Sequence, residues 1–257
     1  GKFFEENRTN IQYEELPKHL INALVATEDA RYFEHSGVDT KSLLRVLFKS
    51  IIQNNKRSGG GSTITQQLAK NMYGRKDYGS LTMLVNKTKE GIQAYRLEQT
   101  FNKEEVLTLY LNTVSFGENV YGIEAAALRY FNKTVETLSI EESAVLIGIL
   151  KANTYYNPRL YPNHATKRRK VVLQQMLKYS YVNKKEFDSL SLLPLNLNYN
   201  NLSTNNKAGY FLAEVKKEAQ KIIKQINIDQ DKSWNIETHG LVIKTTLDFS
   251  MQQDAIN

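Results

Sequence analysis

Cysteine is absent from this sequence of 257 residues, and histidine occurs only four times. Without thiols the chain forms neither a disulfide framework nor a cysteine-ligated metal site. The histidines do not pair at the spacing of helical zinc ligands, which argues against a zinc site. They stand at His19, His35, His164 and His239.

Long apolar runs are also missing, since no stretch of roughly 18 residues is hydrophobic enough to span a bilayer. No signal peptide is visible, and a membrane anchor N-terminal to this sequence is one interpretation of its abrupt opening. Acidic residues are in the minority: 27 Asp and Glu face 34 Lys and Arg, for a net charge of +7. That balance favours a polyanionic partner such as nucleic acid, an anionic membrane or a phosphorylated substrate.

Helical periodicity dominates up to about residue 180, and we expect a mainly α fold. The capping spacings Thr63–Gln66 and Ser139–Glu142 predict two helix starts. The asparagine-rich stretch LSLLPLNLNYNNLSTNN predicts a loop, and LVIKTTLDF near the end predicts a β-rich run. Helical runs are expected at residues 16–25, 40–53, 63–71, 82–99, 103–112, 122–131, 139–151, 164–180 and 208–226.

Two adjacent carboxylates, Glu28 and Asp29, follow an apolar helix stripe. Glu28 stands four residues after Leu24 and eight after Leu20, at the end of that stripe. A partly dehydrated carboxylate suits a general base. The alternative, favoured from this helix alone, is that the helix frays into solvent at Glu28.

The stretch GGGSTITQQLAKN, residues 59–71, is a glycine loop that leads into a capped helix. Backbone N–H groups at such a helix start suit anionic oxygens. Side-chain donors are added by Ser62, Thr63, Gln66, Gln67 and Lys70. A flexible connector before an ordinary helix is an equal alternative on local grounds, and a nucleotide P-loop is excluded because its Gly-Lys-Ser/Thr is missing.

Five stretches in order resemble the signature motifs of peptidoglycan glycosyltransferases, glycosyltransferase family 51, the transglycosylase domain of class A penicillin-binding proteins. They are EDARYFEHSG, GGGSTITQQLAKN, KTKEGIQAYRLE, KEEVLTLYLNTVSFGENVYGIEAAA and EESAVLIGILKANTYYNP, the last followed by RRKVVLQQM at 168–176. The match extends over most of residues 13–180. Where the family commonly has Arg-Lys at the third motif, this sequence has Asn86-Lys87, so one cation is missing there.

The resemblance implies a lysozyme-like, two-lobed helical glycosyltransferase domain at residues 1–180, with a membrane-facing small lobe around 40–60. A C-terminal mixed α/β linker segment at 181–257 would lead to a covalently linked transpeptidase domain. The implied reaction polymerises lipid II into β-1,4-linked glycan strands, with inversion, release of polyprenyl pyrophosphate and sensitivity to moenomycin. The implied location is the outer face of the bacterial cell membrane.

By the same resemblance, Glu28 is the general base and Glu90 the second catalytic carboxylate. No cofactor is obligatory, although Mg²⁺ or Mn²⁺ near Glu90 at the pyrophosphate is one option. Lipid II and the growing glycan strand would be bound by ten further residues. These are Asp29, His35, Ser62, Thr63, Gln66, Gln67, Lys70, Asn71, Lys87 and Asn112.

The segment KSLLRVLFKSIIQNNKR, residues 41–57, is both apolar and basic. Such a segment can insert its apolar face into an anionic membrane surface, and a core helix with solvated lysines is the alternative. The membrane hypothesis names Leu43, Leu47, Phe48, Ile51 and Ile52.

Three other functions remain open on the sequence alone. A lysozyme-like muramidase also needs a glutamate, but as a proton donor. A basic nucleic-acid-binding module is permitted by the charge, although no reader motif is present. A non-catalytic scaffold of wall synthesis is disfavoured by the intact Glu28 and Glu90.

Overall fold

The computed structural model describes residues 10–42, 44–45, 61–200, 209–234, 236, 241 and 243–245. Within these ranges β structure is limited to one bridge between Ser115 and Tyr121, so the predicted mainly α fold is confirmed. Helical residues at 40–42 and 44–45 follow the first helix. The α-helices with both ends described are α1 (Lys18–Glu28), α2 (Ile64–Tyr73), α3 (Thr82–Thr100), α4 (Lys103–Thr113), α5 (Ile123–Phe131), α6 (Ile140–Ile149), α7 (Pro162–Lys178), α8 (Lys184–Leu192) and α9 (Gly209–Asp229).

Both predicted capping pairs lie at helix starts. At α2, the Thr63 hydroxyl accepts from the Gln66 N–H at 3.1 Å, and the Gln66 amide oxygen accepts from the Thr63 N–H at 3.0 Å. At α6, the Glu142 carboxylate accepts from the Ser139 N–H at 2.9 Å. These bonds satisfy backbone donors that the first turn of a helix leaves unpaired.

Helix α8 was not predicted, although its start has the same signature. The Asn183 side chain accepts from the Glu186 N–H, and the Glu186 carboxylate accepts from the Asn183 N–H. This pair of bonds is a capping box. The asparagine-rich stretch that follows it is typical of a loop, so a helix was not expected here. Other expectations lie outside the described residues: most of the helical run at 40–53, most of the β-rich run after 240, and Leu43, Leu47, Phe48, Ile51 and Ile52.

The chain divides into two compact units, residues 8–200 and residues 1–7 with 201–257. The domain boundary near residue 180 stays a prediction, and residues 181–200 belong to the first unit. The segment after α8 stays on this unit because Glu118 accepts from the Tyr199 hydroxyl at 2.7 Å, while the Asn198 N–H bonds the Tyr130 carbonyl. No helix in the described ranges combines the length and hydrophobicity that crossing a bilayer requires.

Two sets of helices organise the first unit. In the first helix group, α1 packs against α6 and α7, which also pack against each other. In the second helix group, α2 packs against α3 and α4. The predicted stripe of α1 is buried, with Leu20 and Leu24 fully inaccessible. The stripe therefore ends at Glu28 where the two groups meet.

Gly37 sets the distance between the loop after α1 and the middle of α3. Its φ is +81°, and a Cβ there would lie 2.6 Å from the backbone C and O of Ala94. The Gly37 carbonyl also accepts from the Thr63 hydroxyl at 2.6 Å. Only glycine combines this conformation with so close an approach, which brings α3 against the start of α2.

We expect Gly37→Ala to destabilise this unit far more than Gly79→Ala. Gly79 also has a positive φ, +61°, but nothing lies within 4 Å of its would-be Cβ. Both variants incur about 1–2 kcal/mol of backbone strain, and Gly37→Ala adds roughly 1–3 kcal/mol of overpacking. Urea unfolding followed by circular dichroism measures both, and equal losses would contradict this account of Gly37.

Candidate active site

A cavity of about 570 Å³ lies between the two helix groups. Five cationic side chains and two carboxylates line it, which leaves a formal charge of +3 among the lining residues. This lining, which we call the main cavity, consists of Thr27, Glu28, Ser62, Gln66, Gln67, Lys70, Arg75, Lys87, Glu90, Leu150, Lys151 and Arg168. A site of this charge is suited to an anionic ligand.

Glu28, the last residue of α1, is held from both helix groups. Its side chain is only 15% exposed. The Gln67 amide nitrogen of α2 donates to one carboxylate oxygen at 3.0 Å. The Arg168 guanidinium of α7 lies 4.0 Å from the other oxygen. The carboxylate is thus mostly dehydrated, oriented and open to the cavity, which suits proton abstraction from a bound hydroxyl.

Asp29 points away from the main cavity because the chain leaves the helix there, with φ −155° and ψ 74°. Its buried carboxylate accepts from His35 Nε2 at 3.0 Å and from the N–H of Ile64 at 3.1 Å. Ile64 is the first residue of α2. Asp29 therefore joins the end of α1 to the start of α2, where a carboxylate also interacts favourably with the helix dipole.

Glu90 of α3 is clamped between two cations on the opposite wall. Arg75 Nε donates to one oxygen at 2.8 Å, and Lys87 Nζ donates to the other at 2.7 Å. Burial opposes the charged form of this side chain, which is 4% exposed. The hydrogen bonds from Arg75 and Lys87 outweigh burial and hold the pKa of Glu90 below its ordinary value. Lys87 also donates to Ser62 at 2.7 Å.

Asn86 stands where the family commonly has a cation, and it is buried. Its amide oxygen accepts from the Lys76 N–H, and its nitrogen donates to the carbonyl of Lys76 at 2.8 Å. Asn86 thereby fixes the loop after α2, which places Arg75 against Glu90. The loop after α2 thus supplies a cation, Arg75, to the wall on which position 86 has none.

A second cavity of about 290 Å³, the side cavity, shares Thr27, Glu28, Ser62 and Arg168 with the main one. Arg31 lies in its wall and is paired with Asp39 at 2.7 Å. The side cavity is completed by residues of α7 that include Gln175 and Lys178. Glu28 consequently faces two neighbouring spaces.

The structure brings together most of the residues that the sequence singled out. Glu28, Glu90, Ser62, Gln66, Gln67, Lys70 and Lys87 line the main cavity, and Asp29 and Thr63 line the side cavity. His35 lies behind Asp29. Asn71 is exposed and belongs to neither lining.

Asn112, which was expected to bind substrate, requires a correction, because it lines neither the main cavity nor the side cavity. It is buried, and its amide bonds both the N–H and the carbonyl of Ile11, at 3.1 and 3.0 Å. Its hydrogen-bonding groups are thereby used to anchor the segment before α1.

Sequence reasoning missed three cations of the main cavity: Arg75, Lys151 and Arg168. Arg168 lies in the stretch RRKVVLQQM, which follows the fifth motif. This stretch therefore included the residue but did not indicate that its side chain lines the cavity. Arg75 had only a weak signal, the basic pair it forms with Lys76 just after α2.

The residues around Glu90 do not fit a divalent metal held by the protein. Both carboxylate oxygens already accept from cations within 2.8 Å, and a metal ion would be repelled by Arg75 and Lys87. Among the described residues, no three His, Asp or Glu side chains form a ligand cluster.

Comparison with known proteins identifies the family of this chain. The family model described as Transglycosylase matches residues 1–177. Penicillin-binding protein 1A of Vibrio cholerae is 36% identical over 99% of this chain and 29% of that protein. Penicillin-binding protein 1F of Bacillus subtilis is 37% identical over 99% of this chain and 34% of that protein.

A solved structure, penicillin-binding protein 1A from Haemophilus influenzae, shows the same fold. It aligns with a TM-score of 0.51 at 24% identity, over 88% of this chain and 23% of that one. The chain thus spans between about a quarter and a third of the length of the relatives it matches. The family model and the relatives agree: the chain belongs to the transglycosylase family.

Proposed function

We propose that this domain polymerises lipid II, joining disaccharide units from a polyprenyl pyrophosphate donor into β-1,4-linked glycan with inversion. The observation that supports it most is the dehydrated Glu28 carboxylate facing a cavity with five cations. A base and an anion-binding wall are the two things that transfer from a pyrophosphate donor to a sugar hydroxyl requires.

The two cavities that meet at Glu28 offer places for two substrates. The donor pyrophosphate would occupy the main cavity, where the cations are, and the acceptor sugar would lie in the side cavity. Glu28 then takes the proton of the acceptor 4-hydroxyl, while the oxygen of that hydroxyl attacks C1 of the donor. The bond from C1 to the pyrophosphate oxygen breaks, and its electron pair departs with the pyrophosphate. Attack opposite the leaving group accounts for inversion.

Cations of this chain would balance the charge that develops on the leaving pyrophosphate. Lys87 and Arg75 are held in place by Glu90. Lys70 and Lys151 are exposed in the same lining and are available to the ligand. Prepositioned charges of this kind stabilise a transition state without reorganisation cost.

A muramidase mechanism has less support from this site. Its glutamate must donate a proton to a glycosidic oxygen. Glu28 instead accepts from Gln67 and lies beside Arg168, contacts that suit a proton acceptor.

We also propose that this domain contacts a membrane surface, as a lipid-linked substrate would require. Large apolar side chains are exposed at the end of α2 and the start of α3, with Met83 81% and Leu84 66% exposed. Lys76 and Lys89 are exposed in the same stretch. Apolar side chains among cations are suited to an anionic bilayer, and Arg75 connects this stretch to the main cavity.

The other partners and the location remain predictions of the same proposal. They are the growing glycan strand, a covalently linked transpeptidase domain, and the outer face of the bacterial membrane. Penicillin-binding relatives that extend well beyond the matched part support the second of these.

Glu28→Gln should lower lipid II polymerisation by about 10²–10⁴-fold, because an amide cannot take the acceptor proton. Gel analysis of labelled lipid II products, with moenomycin as inhibitor, measures the rate. Glu34→Gln is the matched control, since Glu34 is exposed and lines neither cavity. Glycan synthesis at the normal rate in a folded Glu28→Gln protein would refute the assignment of the base.

Arg75→Ala should lower kcat/KM for lipid II by roughly 10- to 100-fold, the usual cost of a lost charge-assisted bond. The loss removes one cation from the cavity and leaves Glu90 with Lys87 alone. Arg96→Ala, an exposed arginine of α3 outside both linings, controls for net charge. If the two variants lose activity equally, Arg75 has no special place in the site.

Leu84→Glu should weaken binding to phosphatidylglycerol-containing vesicles several-fold, because a carboxylate at an anionic interface is repelled and costly to bury. Polymerisation of detergent-solubilised lipid II should be unchanged. The control is Leu192→Glu in α8, where the leucine is 85% exposed. Vesicle cosedimentation decides: identical binding by the two variants rules out this surface.

A further inference from the structure

Tyr110 of α4 contacts the catalytic glutamate only through another residue. Its side chain is fully buried and lines neither cavity. The Tyr110 hydroxyl donates to Gln67 Oε1 at 3.1 Å, and Gln67 Nε2 donates to Glu28 at 3.0 Å. A tyrosine, an amide and a carboxylate thus form one chain of hydrogen bonds from α4 to the end of α1.

The chemistry of the two ends fixes the direction of the Gln67 amide. An ionised carboxylate only accepts, so the NH₂ group must face Glu28 and the carbonyl oxygen must face Tyr110. A reversed amide would set two acceptor oxygens against each other at Glu28. It would also leave the buried Tyr110 O–H without its acceptor, and an unsatisfied buried donor is costly.

We propose that Tyr110 is a positioning residue that acts through Gln67 to keep Glu28 ready to accept a proton. Gln67 donates to the charged form of Glu28, and such a bond favours the carboxylate over the acid. Tyr110 keeps Gln67 in the orientation that makes this donation possible. The inference rests on the proposed function, because it concerns the base of that reaction.

Tyr110 itself remains a proton donor at all working pH values. Burial, and secondly the charge of Glu28, raise the pKa of Tyr110. A neutral phenol therefore supplies the O–H throughout.

Other charged groups also face Glu28 and stay in place when Tyr110 is changed. Arg168 of α7 lies at 4.0 Å. Lys70, Arg75, Lys87, Glu90 and Lys151 face it across the main cavity, while Asp29, Arg31, Asp39, Arg45 and Lys178 line the side cavity. If loss of the Tyr110 hydroxyl changes the protonation of Glu28, the change is therefore attributable to Gln67.

Tyr110→Phe should move the acid limb of the pH–rate profile for lipid II polymerisation upward by about half to one pH unit, which corresponds to one hydrogen bond. With the hydroxyl gone, Gln67 can turn its oxygen towards Glu28, so the carboxylate is protonated at higher pH. The rate on the alkaline side should be largely retained. A uniform loss at every pH, or an unchanged profile, would overturn the proposal.

Tyr130→Phe is the matched control for deleting a buried hydroxyl. Tyr130 is equally inaccessible, and its hydroxyl donates to the Phe116 carbonyl at 2.9 Å. This variant should lower stability but leave the acid limb where it is. Thermal unfolding by circular dichroism establishes that both variants are folded.

Gln67→Met tests whether Tyr110 acts through the amide. It should shift the limb by at least as much as Tyr110→Phe, and adding Tyr110→Phe to it should shift the limb no further. An additional shift in the double variant would mean that Tyr110 acts by another route. If Tyr110→Phe does not fold, Gln67→Met alone decides, since an unchanged limb in it refutes the proposal.

A titration without substrate separates this inference from the proposed function. The Glu28 carboxyl carbon can be followed by ¹³C NMR and identified by its loss in Glu28→Gln. Its midpoint should rise in Tyr110→Phe and stay unchanged in Tyr130→Phe. If the wild-type protein makes no glycan but the midpoint rises, the proposed function fails and the positioning role stands. If glycan is made but the midpoint does not move, the positioning role fails alone.

Discussion

One dehydrated negative charge, the carboxylate of Glu28, is the constraint on which the arrangement of this site depends. A carboxylate that is largely withdrawn from water must be compensated by donors or cations. Here the compensation comes from both helix groups, an amide of α2 and a guanidinium of α7. The neighbouring Asp29 is compensated differently, by His35 and the N-terminus of α2. Of these two adjacent residues, Glu28 thus orients its carboxylate into the cavity, and Asp29 uses its own to hold two helices together.

The wall of the main cavity opposite Glu28 carries a net positive charge. Cations outnumber carboxylates in the main cavity, and Glu90 fixes Arg75 and Lys87 in place. The Glu90 carboxylate therefore organises positive charge on this wall. Glu28 and this positive surface line the same cavity, as the proposed reaction requires, in which a hydroxyl loses its proton while a pyrophosphate leaves.

Much of the local structure could be read from the sequence because it depends on near neighbours. The boxes at Thr63 and Ser139 and the apolar stripe that ends at Glu28 are of this kind. The unpredicted α8 has the same kind of capping box at Asn183, but the asparagine-rich stretch after it has the composition of a loop. Asn112 was misplaced for a different reason: its partner, Ile11, is 101 residues away in the chain.

The sequence by itself determined which side chains are available: the motif order that predicts the family, the helices, the caps and the paired carboxylates. Only the tertiary structure decided where they meet. Arg75 comes from the loop after α2, Lys151 from the turn after α6 and Arg168 from α7, yet all three line one cavity. Asn86 fixes the loop that carries Arg75, and Gly37 brings α3 against the start of α2 through its close approach to Ala94. Spacing along the chain specifies faces of single helices, whereas the distance between two helices depends on packing that no local pattern encodes.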